Sequence, residues 1–231
     1  MHHTRGLVVL GGSFLALGAV GWVLWLVAAG STVESVSTTA GQYVLPTNQP
    51  APVQTKVRVS HQPPMRTSHG STVPVVSDAW VAKMASETGI PATAVRAYGR
   101  AQLEEPASCH LGWTTLAGIG EVETGHGEGA GATLHPDGLS LPTIVSSADA
   151  FGPMQFLAST WDKWKTDGDG DGWARINDID DAAAAAMRYL CSYGDLSTSD
   201  GWARAIFAYN HQNAYVQSVY NAATGYNALA R

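Results

Sequence analysis

The chain has 231 residues, 45% of them apolar, and a formal net charge of -6. That length suits one domain with an appendage. No basic run is present, which excludes nucleic acid as a partner, because phosphate binding needs clustered Lys and Arg. After Arg5, Gly6 to Gly30 carry no charge. Such a stretch is long enough for a helix that spans a bilayer core. Ala28-Ala29-Gly30 offers a small-residue cleavage site. Signal peptides, however, have shorter apolar regions, of about 7–15 residues. Residues 1–30 are therefore expected to be an uncleaved signal anchor rather than a cleaved signal peptide. No Lys or Arg follows Arg5 until Lys56, so the positive-inside rule puts the bulk of the chain outside the cytoplasm, tethered to the membrane or, if the helix is cleaved, secreted.

Residues 31–76 are rich in Ser, Thr, Val, Pro and Gln, with Tyr43 as the only aromatic. Such a composition buries too little apolar area to offset its ordering entropy. It predicts an extended, disordered linker, with the folded domain over residues 77–231. From there the pattern is helical. Ser77-Asp78 reads as a helix start and Thr88-Gly89 as its end. Pro91 opens a second helix running towards Glu105, and a third covers about Leu111 to Thr124. Gly125 to Ser146 is rich in Gly and Pro and reads as loop. Phe156 to Lys165 is a short helix. Asp178 to Tyr193 is a strong one, with five consecutive alanines and acids at the end where the macrodipole favours them. Gly201 to Asn210 and Ala214 to Ala223 complete a mainly α domain with no run of alternating strand character.

Cys109 and Cys191 are the only cysteines. Outside the cytoplasm two cysteines in one domain are expected to pair. The other readings are two separate buried thiols, or a Cys-His pair with His110 or His126, for which no nucleophile signature is present.

Three segments bear chemistry. In the first, Gly118 to Gly127, Leu116, Ile119 and Glu123 fall at i, i+3 and i+7, so Glu123 continues an apolar stripe. Desolvation there raises a carboxyl's pKa, as a general acid at neutral pH requires. Glu121 points about 200° away around the helix and is the lesser candidate. The alternative is a pair of solvated carboxylates on a helix end. In the second, Phe151-Gly152-Pro153-Met154-Gln155-Phe156, Gly-Pro makes a turn, and Gln155 brings a donor and an acceptor suited to sugar N-acetyl groups. In the third, Ala208-Tyr209-Asn210 with Tyr215, the tyrosines offer rings for a sugar face and hydroxyls for hydrogen bonds. Ordinary helix packing would also account for them.

Taken in order, these segments resemble the lytic murein transglycosylases, most closely the membrane-bound B type as found in actinobacteria. That family has a helix ending in Glu-Ser or Glu-Thr, then a Gly-x-Met-Gln or Pro-Gln-Phe turn, then Ala-Tyr-Asn. The resemblance spans about Cys109 to Tyr220. It implies a lysozyme-like helical domain acting on peptidoglycan glycan strands, with Glu123 as the catalytic acid. It also implies that Gln155, Met154, Ser146, Tyr209, Asn210 and Tyr215 bind substrate. Ser146 is carried over because it stands nine residues before the Gln. Ala158 stands where the family commonly has Pro.

A fourth segment, Asp167 to Asp178, fits an EF-hand calcium loop. Asp167, Asp169 and Asp171 stand at positions 1, 3 and 5, Gly170 and Gly172 lie between and after them, and Trp173 offers a carbonyl at position 7. Asp178 replaces the usual Glu at position 12, which predicts weaker binding. A structural Ca2+ is therefore expected, and no organic cofactor. The competing functions are a hydrolytic muramidase of the goose-lysozyme type using Glu128 or Asp137 to position water, a non-catalytic wall-binding protein, and a calcium-dependent adhesion or sensor module.

Overall fold

The computed structural model describes residues 50–52, 57–60, 64–66 and 72–230. The expected membrane helix over residues 1–30, and residues 31–49 of the expected linker, lie outside the described residues. Among the described residues no helix is long and apolar enough to cross a membrane.

Seven helices carry the described fold: α1 (Asp78–Thr88), α2 (Ala92–Leu103), α3 (Trp113–Thr124), α4 (Ala158–Trp164), α5 (Ile179–Cys191), α6 (Ser199–Asn210) and α7 (Asn213–Leu229). Their starts follow local chemistry. The Ser77 hydroxyl accepts from the Trp80 N–H to cap α1, and Gly89 closes that helix in the left-handed region. Thr198 caps α6 through the Gly201 N–H. Ala158 opens α4 at its first position, where Pro and Ala both fit because that N–H needs no helical acceptor. α7 runs six residues beyond the stretch expected from the sequence.

The core is organised around α3, where Trp113, Leu116, Ala117 and Ile119 are fully buried. Gly118 brings α7 close: a Cβ at this position would stand 2.9 Å from the Val219 carbonyl oxygen. Thr114 bonds Asn227 near one end of α3, and Glu123 bonds Tyr215 at the other, so the two helices run antiparallel. α5 packs chiefly on α2. Ala182 to Ala186 on one side and Ala94, Ala97 and Ala101 on the other are all buried, and such small side chains shorten the distance between helix axes. A disulfide joins Cys109, just before α3, to Cys191 at the end of α5, with the Cα atoms 5.1 Å apart.

Among the described residues there are six strands of two residues each: β1 (Met65–Arg66) pairs with β2 (Thr72–Val73), β3 (Thr133–Leu134) with β4 (Ser140–Leu141), and β5 (Ala150–Phe151) with β6 (Phe156–Leu157), all antiparallel. Two residues cannot display an alternating pattern, which is why the sequence shows none. Residues 57–60 also pair with residues 75–77, through Ser60 N–H to Val75 O at 2.8 Å and Ser77 N–H to Arg58 O at 3.1 Å. Val73 and Val76 are buried, so the packed body takes in segments of the stretch read as linker.

Candidate active site

Glu123 sits in the last turn of α3, one turn beyond the buried Ile119. Its Oε1 accepts a hydrogen bond of 2.7 Å from the Tyr215 hydroxyl. Burial pushes the carboxyl up to about 7, against a smaller downward pull from Tyr215, and no neighbouring carboxylate contributes. The Tyr209 ring lies parallel to that of Tyr215, at 3° and 6.2 Å between centroids. Its hydroxyl donates to the Met154 carbonyl at 2.8 Å. Glu123, Tyr215, Tyr209 and the Met154 turn therefore form one continuous wall.

That turn is the loop of the β5–β6 hairpin, residues 152–155, with Phe151 opposite Phe156. Gly152 has φ +73°, and a Cβ there would collide with the Ile176 carbonyl, so only Gly serves. The Thr124 hydroxyl donates to the Pro153 carbonyl at 2.7 Å and accepts from the Gly127 N–H. The residue after Glu123 thus fixes the turn that carries Gln155. Gln155 itself has φ +51°, and its amide donates back to the Gly152 carbonyl at 2.8 Å. It lines a cavity of about 150 Å³ with Leu157, Thr160, Tyr189, Tyr209 and His211.

The remaining expected contacts fall elsewhere. Met154 is fully buried and contributes its carbonyl rather than its thioether. Ser146 uses its hydroxyl to accept from the Ala150 N–H at 3.2 Å, inside its own turn. Asn210 is exposed at the C-terminal end of α6. Glu128 and Asp137, the candidates for a second carboxylate, are both exposed.

Below the hairpin, carboxylate oxygens of Asp167, Asp169 and Asp181 lie within 4.8 Å of one another. Asp181 is the residue that sequence reasoning missed. It lies one turn after Asp178 on the same face of α5, and that spacing was the available signal. Asp171 instead pairs with Arg175. Asp178 is buried and caps α5, accepting from the Asp180 N–H at 3.0 Å. Trp173 is 65% exposed. Asp180 pairs with Arg100. Burial pushes Asp181 up to about 8, and burial with the Asp180 charge pushes Asp178 to about 7. The donor set is all oxygen and anionic, so it fits a hard divalent cation. The loop's exit is tied to the cleft: the Ser140 N–H donates to the Asn177 carbonyl at 2.8 Å, and the Ser140 hydroxyl donates to the Gly127 carbonyl.

No protein-family model matches the chain, and no curated protein matches it. Among solved structures it is similar to the Escherichia coli lytic transglycosylase Slt35 in complex with bulgecin A, at 16% identity over 68% of this chain and 76% of that one, with a TM-score of 0.49. It is also similar to SltB3 from Pseudomonas aeruginosa in complex with NAG-anhNAM-pentapeptide, at 16% identity over 67% of this chain and 66% of that one, with a TM-score of 0.49. Slt35 in complex with calcium gives 17% identity, 68% and 76% coverage, and a TM-score of 0.46. These likenesses are distant in sequence and loose in shape, and they assign neither family nor activity.

Proposed function

We propose that the chain is a peptidoglycan lytic transglycosylase with a lysozyme-like helical domain, working outside the cytoplasm and tethered by its N-terminal helix. The carrying observation is Glu123: a single, largely buried carboxyl, held near 7, bonded to Tyr215 and flanked by a tyrosine wall. The ordered motifs Glu123-Thr124, Gly152 to Phe156 and Ala208 to Asn210 support the same reading.

In this mechanism Glu123 protonates the oxygen leaving the β-1,4 bond between N-acetylmuramic acid and N-acetylglucosamine. The substrate's own N-acetyl group stabilises the oxocarbenium-like centre. Glu123, now a carboxylate, takes the proton of the muramic 6-hydroxyl, whose oxygen closes on the anomeric carbon. The product is a 1,6-anhydromuramoyl end, and no water is consumed. A carboxyl near 7 is matched to both duties, since it holds and releases its proton at neutral pH. The Tyr215 hydroxyl stabilises the carboxylate between the two steps. A paired-carboxylate glycosidase would need a second acid about 5–10 Å away, and the two candidates from the sequence, Glu128 and Asp137, are both exposed.

Asp167, Asp169 and Asp181 would hold the calcium ion, with Asp171, Trp173 and Asp178 around them. Bound there, the ion would neutralise the clustered charge of a loop whose exit braces Ser140, a structural role.

Mass spectrometry of purified peptidoglycan digested with the full chain tests the reading. Muropeptides ending in 1,6-anhydromuramic acid are the expected result. Reducing ends, one water heavier, would indicate a hydrolytic muramidase. Absence of products from a folded, calcium-loaded chain would indicate a binding protein.

A further inference from the structure

The chain leaves α3 through three successive left-handed residues: Gly125 at φ +59°, His126 at +64° and Gly127 at +89°. Two are glycines, which adopt this region freely. His126 is not, and its side chain is 6% exposed. A buried side chain held on a strained backbone persists where its surroundings over-determine it.

Those surroundings are three polar groups, one from each of α2, α3 and α7. His126 Nδ1 is 3.1 Å from the Tyr98 hydroxyl of α2. Its Nε2 is 3.0 Å from the Tyr226 hydroxyl of α7 and 3.0 Å from Glu121 Oε2 of α3. The Tyr226 hydroxyl donates to the same carboxylate at 3.0 Å. The Tyr226 hydroxyl has one hydrogen and gives it to Glu121, so its oxygen accepts from Nε2–H, and Nδ1 then accepts from Tyr98. Burial favours this neutral ring, lowering His126 to about 4 against the raising effect of Glu121. Gly120 completes the fit, because a Cβ there would overlap the Tyr98 hydroxyl.

Tyr226 and Tyr215 stand eleven residues apart on α7, three turns along one face. That face therefore grips both carboxylates of the α3 terminus, Glu123 through Tyr215 and Glu121 through Tyr226. We propose that His126, with Tyr98, Glu121 and Tyr226, is a positioning cluster that fixes where α3 ends and so where the Glu123 carboxyl stands in the cleft. This rests on the reading of Glu123 as the acid. The cluster acts through the backbone, since Glu121 points away from Glu123, and Thr124, between Glu123 and His126, holds the Pro153 turn. Glu121, left over by the sequence reading, acquires a task in this way.

Tyr98→Phe and Tyr226→Phe each remove one hydroxyl and no charge, and Tyr226 is only partly buried, its ring packed on the core where a Phe ring keeps that contact. The test uses the full chain. It measures kcat and KM on soluble peptidoglycan glycan fragments, and the titration midpoint of Glu123 by carboxyl-carbon NMR. Each variant is expected to lower kcat about tenfold, as a displaced catalytic group does, with KM within about twofold. The Glu123 midpoint should fall towards the ordinary carboxylate range as the helix end loosens and admits water. Both variants keeping kcat within about twofold of wild type, or losing kcat only with a matching rise in KM, would overturn the proposal. If the wild-type chain releases no anhydro product, the reading of Glu123 fails separately, and the midpoint alone decides. An unchanged midpoint in both variants then rejects positioning, and a lowered one upholds it.

Discussion

Replacing Glu123 with Gln is expected to abolish glycan cleavage and, at alkaline pH, to make the protein more stable. Burial holds the folded carboxyl at about 7 against an ordinary value of 4.5. As pH rises, the unfolded chain gives up this proton first, so the folded state is progressively penalised from about pH 4.5 and fully penalised above about pH 7. At about 1.36 kcal/mol for each pH unit, the gap amounts to roughly 3 kcal/mol. Gln has nearly the same shape, stays neutral, and still offers a carbonyl to the Tyr215 hydroxyl. For a domain of this size 1 kcal/mol moves Tm by about 2–4 °C. The variant should then melt about 6–12 °C above wild type near pH 8 and within about 2 °C of it near pH 4.5. Scanning calorimetry of both proteins at the two pH values, with calcium held constant, measures this. A variant that melts at or below wild type near pH 8 would refute the reasoning. So would an equal difference at both pH values, because the penalty would then owe nothing to ionisation.

Tyr215→Phe removes the one hydrogen bond that pulls Glu123 down, so the alkaline limb of kcat/KM should move up by about one pH unit, the equivalent of a bond to a charged group; a pH–rate profile reads it. Adding calcium to chelator-treated protein should raise Tm, by about 2.7 kcal/mol of stabilisation at a hundredfold excess over Kd. Asp181→Asn should remove that gain and Asp171→Asn should largely keep it, as calorimetry of the two variants would show. Gly118→Val should destabilise by about 1–3 kcal/mol or more, since the added atoms meet the Val219 backbone of α7; denaturant unfolding checks it.

The helices were legible because their signals are local: a Ser cap at Ser77, Gly at Gly89, a five-alanine run in α5. The partly buried setting of Glu123 was legible because that residue extends an apolar stripe, and its burial follows from that register. What surrounds it was not. Tyr98, His126 and Tyr226 are brought together across 128 residues of chain by packing of α2, α3 and α7. No spacing in the sequence announces such a meeting. Met154 looked like part of a binding motif, yet its side chain fills the core and only its carbonyl faces the tyrosine wall. In the acidic loop, twelve-residue spacing pointed to Asp178. Asp178 at the helix start bonds its own backbone, and the carboxylate that lies within 4.8 Å of Asp167 and Asp169 is that of Asp181.

The alanine interface between α2 and α5 has a consequence for the acidic loop. Alanine has no rotamers, so where alanines face one another they cannot swing aside to absorb a change in spacing. α5 begins with Asp180 and Asp181, and α2 holds Asp180 through Arg100. The depth at which α5 beds against α2 therefore sets how far Asp181 reaches towards Asp167 and Asp169. A single methyl added at Ala97 or Ala183 should be felt as weaker cation affinity before it is felt as unfolding.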